Sequence, residues 1–340
     1  MSNSQRSNRK KLNLQVLKIK RAAFFCLGLT FFLFPGQNYY LTVSNLPRPA
    51  LTQPIDFILP WTSAYPINTT GVNPPYLTTR SAVVVDQSSG VVLSAKNENV
   101  KLLPASTVKI MTGLVVLDYY SLDQILVVGS VNDLGQNMKL VSGEKISVRN
   151  LFSGLLVSSA NDAAQVLAQN YPGGQSVFVK AMNEKAQQLH LENTYFSNPI
   201  GLDSDEKGNL LADYSYTTAL DLARLAAWAL KNPVFSQTVA IKKIIVTDVG
   251  GQISHELYNL NELLGEMEGV KGIKTGWTEE AGECLVTYVE REGKGIVTVV
   301  LGSQNRFGDT EKLIDWAFSN FHWENLTPHQ GGAGLIAPSI

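Results

Sequence analysis

The feature that most constrains the fold is a change of hydrophobic period along residues 79–324, from strand-like to helical and back. The β-branched runs Ser81–Val85 and Val91–Lys96 flank Gln87-Ser88-Ser89-Gly90 and predict a hairpin. From Ser106 the apolar residues Ile110, Met111, Leu114, Val115 and Leu117 recur at helical spacing. Helical patterns then dominate between Val148 and Leu230. They are carried by Leu151, Phe152, Leu155 and Leu156, by Ala163, Ala164 and Leu167, by Val177, Phe178, Ala181 and Met182, and by 219–230. Asn232-Pro233 is expected to stop the last of these. Strand-like runs return at Ile241–Thr247, Gly272–Thr275, Cys284–Glu290 and Gly295–Leu301, the last two forming a hairpin around Arg291–Lys294. Thr310–Phe321 reads as a final amphipathic helix with Asp309 as its cap. This order implies an α/β fold: an antiparallel sheet flanked by terminal helices, with an all-helical subdomain inserted between its strands.

The N-terminus carries a different signal. Seven of the 28 Lys and Arg side chains fall within residues 1–21, with no acid among them, so the rest of the chain is acidic. Ala22–Phe34 follows as thirteen residues interrupted only by Thr30, which is signal-peptide length and short of the roughly 20 residues of a spanning helix. No small-residue cleavage site follows, and Phe25 before Cys26 is too large for lipoprotein processing. The charge asymmetry places the N-terminus in the cytoplasm and the body on the extracytoplasmic face of the membrane, with an uncleaved signal anchor preferred over a cleaved signal peptide. Seven of the fourteen prolines lie between Pro47 and Pro75, so residues 35–78 read as a linker, 79–324 as the body and 325–340 as a disordered tail. A net charge of −1 lacks the basic excess of a nucleic-acid binder. The four histidines are scattered and Cys26 and Cys284 lie far apart, so neither a zinc site nor a mutual disulfide is expected.

Ser106-Thr107-Val108-Lys109 places a hydroxyl and an amine three residues apart, on one helix face. A buried Lys109 could serve as a neutral base, and a helix start at Ser106 would favour developing negative charge. The spacing alone is common: Ser7–Lys10, Ser142–Lys145 and Ser204–Lys207 repeat it, but only Ser106 opens an apolar helix after a hairpin. Ser-x-Asn is just as cheap a pattern, matched also at Ser130–Asn132 and Ser303–Asn305, and only Ser159-Ala160-Asn161 lies between two helical segments, with Asp162 available to cap the second. Lys274-Thr275-Gly276 occurs once, in a strand-like run, where the plain reading of Lys274 is an edge-strand lysine.

In this order and setting the three motifs resemble those of the serine D-alanyl-D-alanine carboxypeptidases, the low-molecular-mass penicillin-binding proteins of peptidase family S11. The likeness covers about residues 80–322, including Asn198-Pro199-Ile200-Gly201-Leu202-Asp203, Asn259-Leu260-Asn261 and Arg306-Phe307-Gly308-Asp309. It implies a β-lactamase/transpeptidase-like fold and hydrolysis of the terminal D-Ala–D-Ala bond of peptidoglycan stem peptides. By the same resemblance Ser106 is the nucleophile, Lys109 its base, and Ser159 the proton relay, assisted by Lys274. Asn161 would bind the substrate amide, the N–H groups of Ser106 and Trp277 the oxyanion, and Thr275 the carboxylate, with Gly276 completing the motif. No metal or organic cofactor is implied, and β-lactams would act as covalent inhibitors. Arg306 is a further candidate for the carboxylate, its plain alternative being a loop residue paired with Asp309.

The sequence departs from the family at Ala160, where many relatives have Gly, at Leu220, where they often have Arg, and at Trp277, where His is common. An endopeptidase acting on cross-links shares the same residues. A β-lactamase would need a deacylating Glu, and Glu192 lies in a carboxypeptidase-like setting. A catalytically silent wall-peptide binder has no chemical reason to keep Ser106, Lys109, Ser159 and Lys274.

Overall fold

In the computed structural model, which describes residues 64–131, 135–204 and 211–324 together with Lys18 and Lys20, the two ends of the body meet in one sheet. The chain divides into Met1–Pro60 and Trp61–Ile340, and the fold belongs to the second unit. The apolar run 22–34 and the tail 325–340 lie outside the described residues. Among the described residues no helix is long and apolar enough to cross a membrane.

The early hairpin forms as expected, from β2 (Ser81–Asp86) and β3 (Val92–Lys96). β8 (Val270–Thr278), β9 (Gly282–Arg291) and β10 (Lys294–Ser303) complete an antiparallel sheet in the order β3-β2-β10-β9-β8. Pleating sends alternate side chains to opposite faces. Val83, Val85, Val297 and Val299 join the core beneath the helical block, while Ala82, Val84, Ile296 and Val300 join a second core that includes Leu313 and Ile314 of the last helix. Both faces are covered, which is why β2 reads as a continuous apolar run.

The inserted block begins at a 3-10 turn, Ala105–Val108, continuing into α1 (Lys109–Tyr119). It contains α2 (Val148–Leu156), α3 (Asn161–Gln169), α4 (Gly174–Gln188) and α5 (Ala219–Ala229), with the short pair β4 (Ile125–Val127) and β5 (Lys145–Ser147). Asn232-Pro233 starts a helix as well as ending one. The Asn232 side chain accepts from the Val234 and Phe235 N–H groups, and α6 (Pro233–Val239) follows with proline at its first position, where its missing N–H costs nothing. β6 (Lys243–Thr247) then pairs with β7 (Ser254–Tyr258).

Four further expectations change. Residues 64–78, within the stretch expected to be linker, join the body. β1 (Tyr65–Asn68) pairs with β11 (Phe321–Glu324), and Leu77 is buried in the second core. The last helix, α7 (Arg306–Asn320), starts four residues earlier than its apolar pattern indicated, because the Asn305 side chain accepts from Gly308 N–H and caps it. Asp309 is therefore no cap. Its carboxylate accepts from Thr78 N–H at 3.1 Å and from the Thr78 and Ser303 hydroxyls at 2.7 Å, fastening residue 78 to α7. Asp162 likewise lies inside α3, whose N-cap is Ala160, and its carboxylate accepts from the Met138 and Leu140 N–H groups.

Candidate active site

Ser106 sits within the 3-10 turn, not at the first residue of an α-helix. The preceding Ala105 has φ +48°, in the left-handed region that L-residues enter at a cost. Two glycines make that conformation possible by close approach. A Cβ on Gly201 would lie 2.1 Å from Ala105 O, and one on Gly276 would lie 3.0 Å from Ser106 N. Gly276 thus lets β8 run against the serine backbone. Gly276→Ala is expected to push strand and turn apart and slow covalent capture of penicillin by about tenfold to a hundredfold, since misplacements near 1 Å cost that much. A rate unchanged from the wild type would show that the contact is slack.

Lys109, one helical turn beyond Ser106, is fully buried. Its Nζ lies 2.9 Å from Ser106 Oγ, 2.6 Å from Asn161 Oδ1 and 2.9 Å from Ile200 O. The two carbonyl oxygens can only accept. A neutral amine in this position therefore spends both hydrogens on them and turns its lone pair toward the serine hydroxyl. Burial holds Lys109 well below the usual lysine range, the charge of Lys274 adds to this, and Asp162 pulls the other way.

Ser159 and Asn161 reach the same place from the link between α2 and α3. Ser159 is held at φ +61°, a conformation that costs about 1–3 kcal/mol in a residue with a Cβ. Ala160 N–H donates to Gly154 O and Asn161 N–H to Gln136 O, which fix the link from both sides. Lys274 lies on an edge strand but is 2% exposed, so it is not a solvent-facing guard against aggregation. Its Nζ donates to Thr275 O at 2.9 Å. Burial, followed by the nearby Arg306 charge, lowers its pKa from 10.5 to about 7.

A cleft of about 430 Å³ is lined by Ser106, Ser159, Asn161, Thr275, Gly276, Trp277 and Arg306, with Gln136, Leu202 and Leu260 among its other walls. Lys109 and Lys274 lie buried beneath it, so every candidate residue converges on one site. Arg306 does not pair with Asp309. Its Nη1 donates to Gly276 O at 3.1 Å, its backbone N–H donates to Glu283 Oε2 at 2.8 Å, and its buried Nε has no hydrogen-bond partner. The sequence reading missed the Ile200 carbonyl and the Gln136 segment. Ile200 lay within a quoted stretch, but a backbone acceptor leaves no side-chain signature.

Residues 68–305 match the family model described as D-alanyl-D-alanine carboxypeptidase. The carboxypeptidase DacF of Bacillus subtilis is 32% identical over 257 residues, covering 73% of this chain and 64% of the relative. A D-alanyl-D-alanine endopeptidase of Pseudomonas aeruginosa is 34% identical over 71% of this chain and 77% of its own. Among solved structures, the Streptomyces K15 DD-transpeptidase superposes with a TM-score of 0.67 at 30% identity, over 73% of this chain and all of that one. Penicillin-binding protein D2 of Listeria monocytogenes, in its ampicillin-bound form, gives 0.63 at 31% identity over 72% of this chain. With this match, and with the Ser106–Lys109 pair and its two supporting motifs gathered in one cleft, the chain belongs to the D-alanyl-D-alanine carboxypeptidase family.

Proposed function

We propose that the chain removes the terminal D-alanine from peptidoglycan stem peptides through a serine acyl-enzyme, and that β-lactams trap it at Ser106. The observation that carries this reading is the 2.9 Å approach of Lys109 Nζ to Ser106 Oγ, with the other two Nζ contacts made to carbonyl oxygens. Neutral Lys109 takes the serine proton as Oγ attacks the carbonyl of the D-Ala–D-Ala bond. The N–H groups of Ser106 and Trp277 stabilise the tetrahedral oxyanion. Ser159 passes a proton to the leaving amine, with Lys274 beneath supporting the transfer, and Asn161 orients the substrate amide. Water then attacks the acyl-enzyme and releases the shortened peptide. Lys109 and Ser159 handle the protons, so the scheme calls on no metal or organic cofactor.

In this reading Arg306 and Thr275 hold the free carboxylate of the leaving D-alanine. That contact favours a carboxypeptidase over the endopeptidase activity in the name of the Pseudomonas relative. Arg306→Ala is expected to weaken pentapeptide hydrolysis tenfold to a hundredfold, through loss of a charged hydrogen bond worth about 1.5–3 kcal/mol. A substrate with an amidated terminus should be cleaved at nearly the wild-type rate. Equal losses on both substrates would make Arg306 structural.

The enzyme would work outside the cytoplasm, where its substrate lies, tethered through residues 22–34. Mass analysis of the native chain is expected to find that segment retained, and a mature N-terminus beyond Pro35 would contradict the tether. Labelled penicillin provides the direct test of the chemistry, since a silent wall-peptide binder forms no covalent adduct.

A further inference from the structure

Glu144 and His255 are buried ionisable groups that the acyl-transfer steps leave unused, at 5% and 4% exposure. Glu144 lies in the turn before β5 and His255 on β7, 111 residues apart in sequence. His255 Nδ1 is 2.7 Å from Met138 O, and Nε2 is 2.9 Å from Glu144 Oε1. The other carboxylate oxygen, Oε2, accepts from Val141 N–H at 3.0 Å. Met138 O can only accept, so Nδ1 carries a hydrogen. Nε2 and Oε1 would then face each other with lone pairs unless one proton lies between them. A carboxylic acid donating to imidazole and an imidazolium donating to carboxylate contain the same proton count.

The segment these groups hold leads directly to the cleft. Gln136 O accepts from Asn161 N–H at 2.6 Å, and Asn137 Oδ1 accepts from Asp162 N–H at 3.1 Å. In return, the Asp162 carboxylate accepts from the Met138 and Leu140 N–H groups, both at 3.0 Å. Segment 136–141 and the start of α3 are thus laced together, and Asn161 Oδ1 is one of the three contacts of Lys109 Nζ. We propose that Glu144 and His255 form a positioning clamp, whose hydrogen bonds fix segment 136–141 and, through it, Asn161 in the geometry that acylation of Ser106 requires. This inference rests on the acyl-transfer reading above.

Among the described residues, other charged groups stand near the pair. Asp162 is engaged with the clamped segment itself. Asp248, after β6, is held below the usual carboxylate range by the Ile253 N–H first, with His255 contributing. Lys139 and Lys145 are chain neighbours with exposed side chains. Glu256 pairs with Lys243 at 3.3 Å.

Glu144→Gln keeps the clamp's geometry, and Glu144→Ala removes it. The Gln amide can donate to His255 Nε2 while its carbonyl accepts from Val141 N–H, so both hydrogen bonds survive. The test follows acylation of the full chain by labelled penicillin in the wild type, Glu144→Gln, Glu144→Ala and His255→Ala. Glu144→Gln is expected within about threefold of the wild type, and Glu144→Ala and His255→Ala slower by roughly tenfold to a hundredfold. Hydrogen exchange over 136–141 reads the clamp without any penicillin bond, and protection there should fall in Glu144→Ala and His255→Ala but hold in Glu144→Gln. A Glu144→Gln variant as slow as Glu144→Ala, or exchange over 136–141 unchanged in all three variants, would overturn the clamp. Absence of any adduct in the wild type would instead overturn the acyl-transfer reading and leave exchange to decide the clamp.

Discussion

Ser106→Ala is expected to abolish covalent labelling by penicillin while leaving the protein folded. The hydroxyl is the only group lost, and the turn around it is held by other contacts. Thr107 Oγ1 donates to Pro104 O at 2.6 Å, and Lys109 keeps its bonds to Asn161 and Ile200. Removal of a serine nucleophile costs acyl-transfer enzymes about 10⁶-fold in rate. The lost Ser106–Lys109 hydrogen bond is worth only about 1 kcal/mol, a Tm change of roughly 2–4 °C in a domain of this size. Gel fluorescence with labelled penicillin, together with a thermal melt, checks both halves. Labelling that survived the substitution would move the nucleophile elsewhere.

The second large effect is expected at Lys109. Lys109→Met keeps the side-chain stem out to Cε and removes the amine, and acylation should drop about 10²- to 10⁴-fold, the usual contribution of a positioned base. Asn161 Oδ1 and Ile200 O then lose the hydrogen bond from Lys109, but the variant no longer buries an ionisable amine, so stability should suffer less than activity. The pH profile separates the base from a structural lysine. When protonated, Lys109 gives a hydrogen to each of its three acceptors and has no lone pair for the serine proton. Wild-type acylation should therefore fall as pH drops through the depressed Lys109 pKa, and the residual activity of Lys109→Met should lack that limb. Stability follows the same sign. Between the folded and unfolded pKa values of a depressed lysine the unfolded chain binds more protons, so stability rises with pH. For Lys274 that window runs from about 7 to 10.5, and the slope across it should shrink in Lys274→Met. Acylation within tenfold of the wild type in Lys109→Met would remove the lysine from the chemistry.

What was legible in the sequence was whatever side-chain pattern records. The β2–β3 and β9–β10 hairpins announced themselves through β-branched runs around turn residues, and the three motifs marked the cleft from three separate elements. Elements fixed by single local contacts were not legible. Pro233 reads equally as a stop or as a first helical residue, and only the Asn232 side-chain cap decides between them. Gly308 concealed the first turn of α7, because glycine disfavours a helix unless a cap such as Asn305 holds it. β1 is a short run in a proline-rich stretch whose partner, β11, lies at the far end of the body. The Glu144–His255 contact joins residues from separate elements, and no spacing rule links them.

The measurement that bears most directly on the proposed chemistry is mass analysis of products after incubation with a stem pentapeptide ending in D-Ala–D-Ala and, separately, with a cross-linked peptide dimer. Loss of one alanine from the pentapeptide, with the dimer cleaved far more slowly and both reactions blocked by penicillin, is the expected result. An unchanged pentapeptide, or cleavage confined to the dimer, would contradict it.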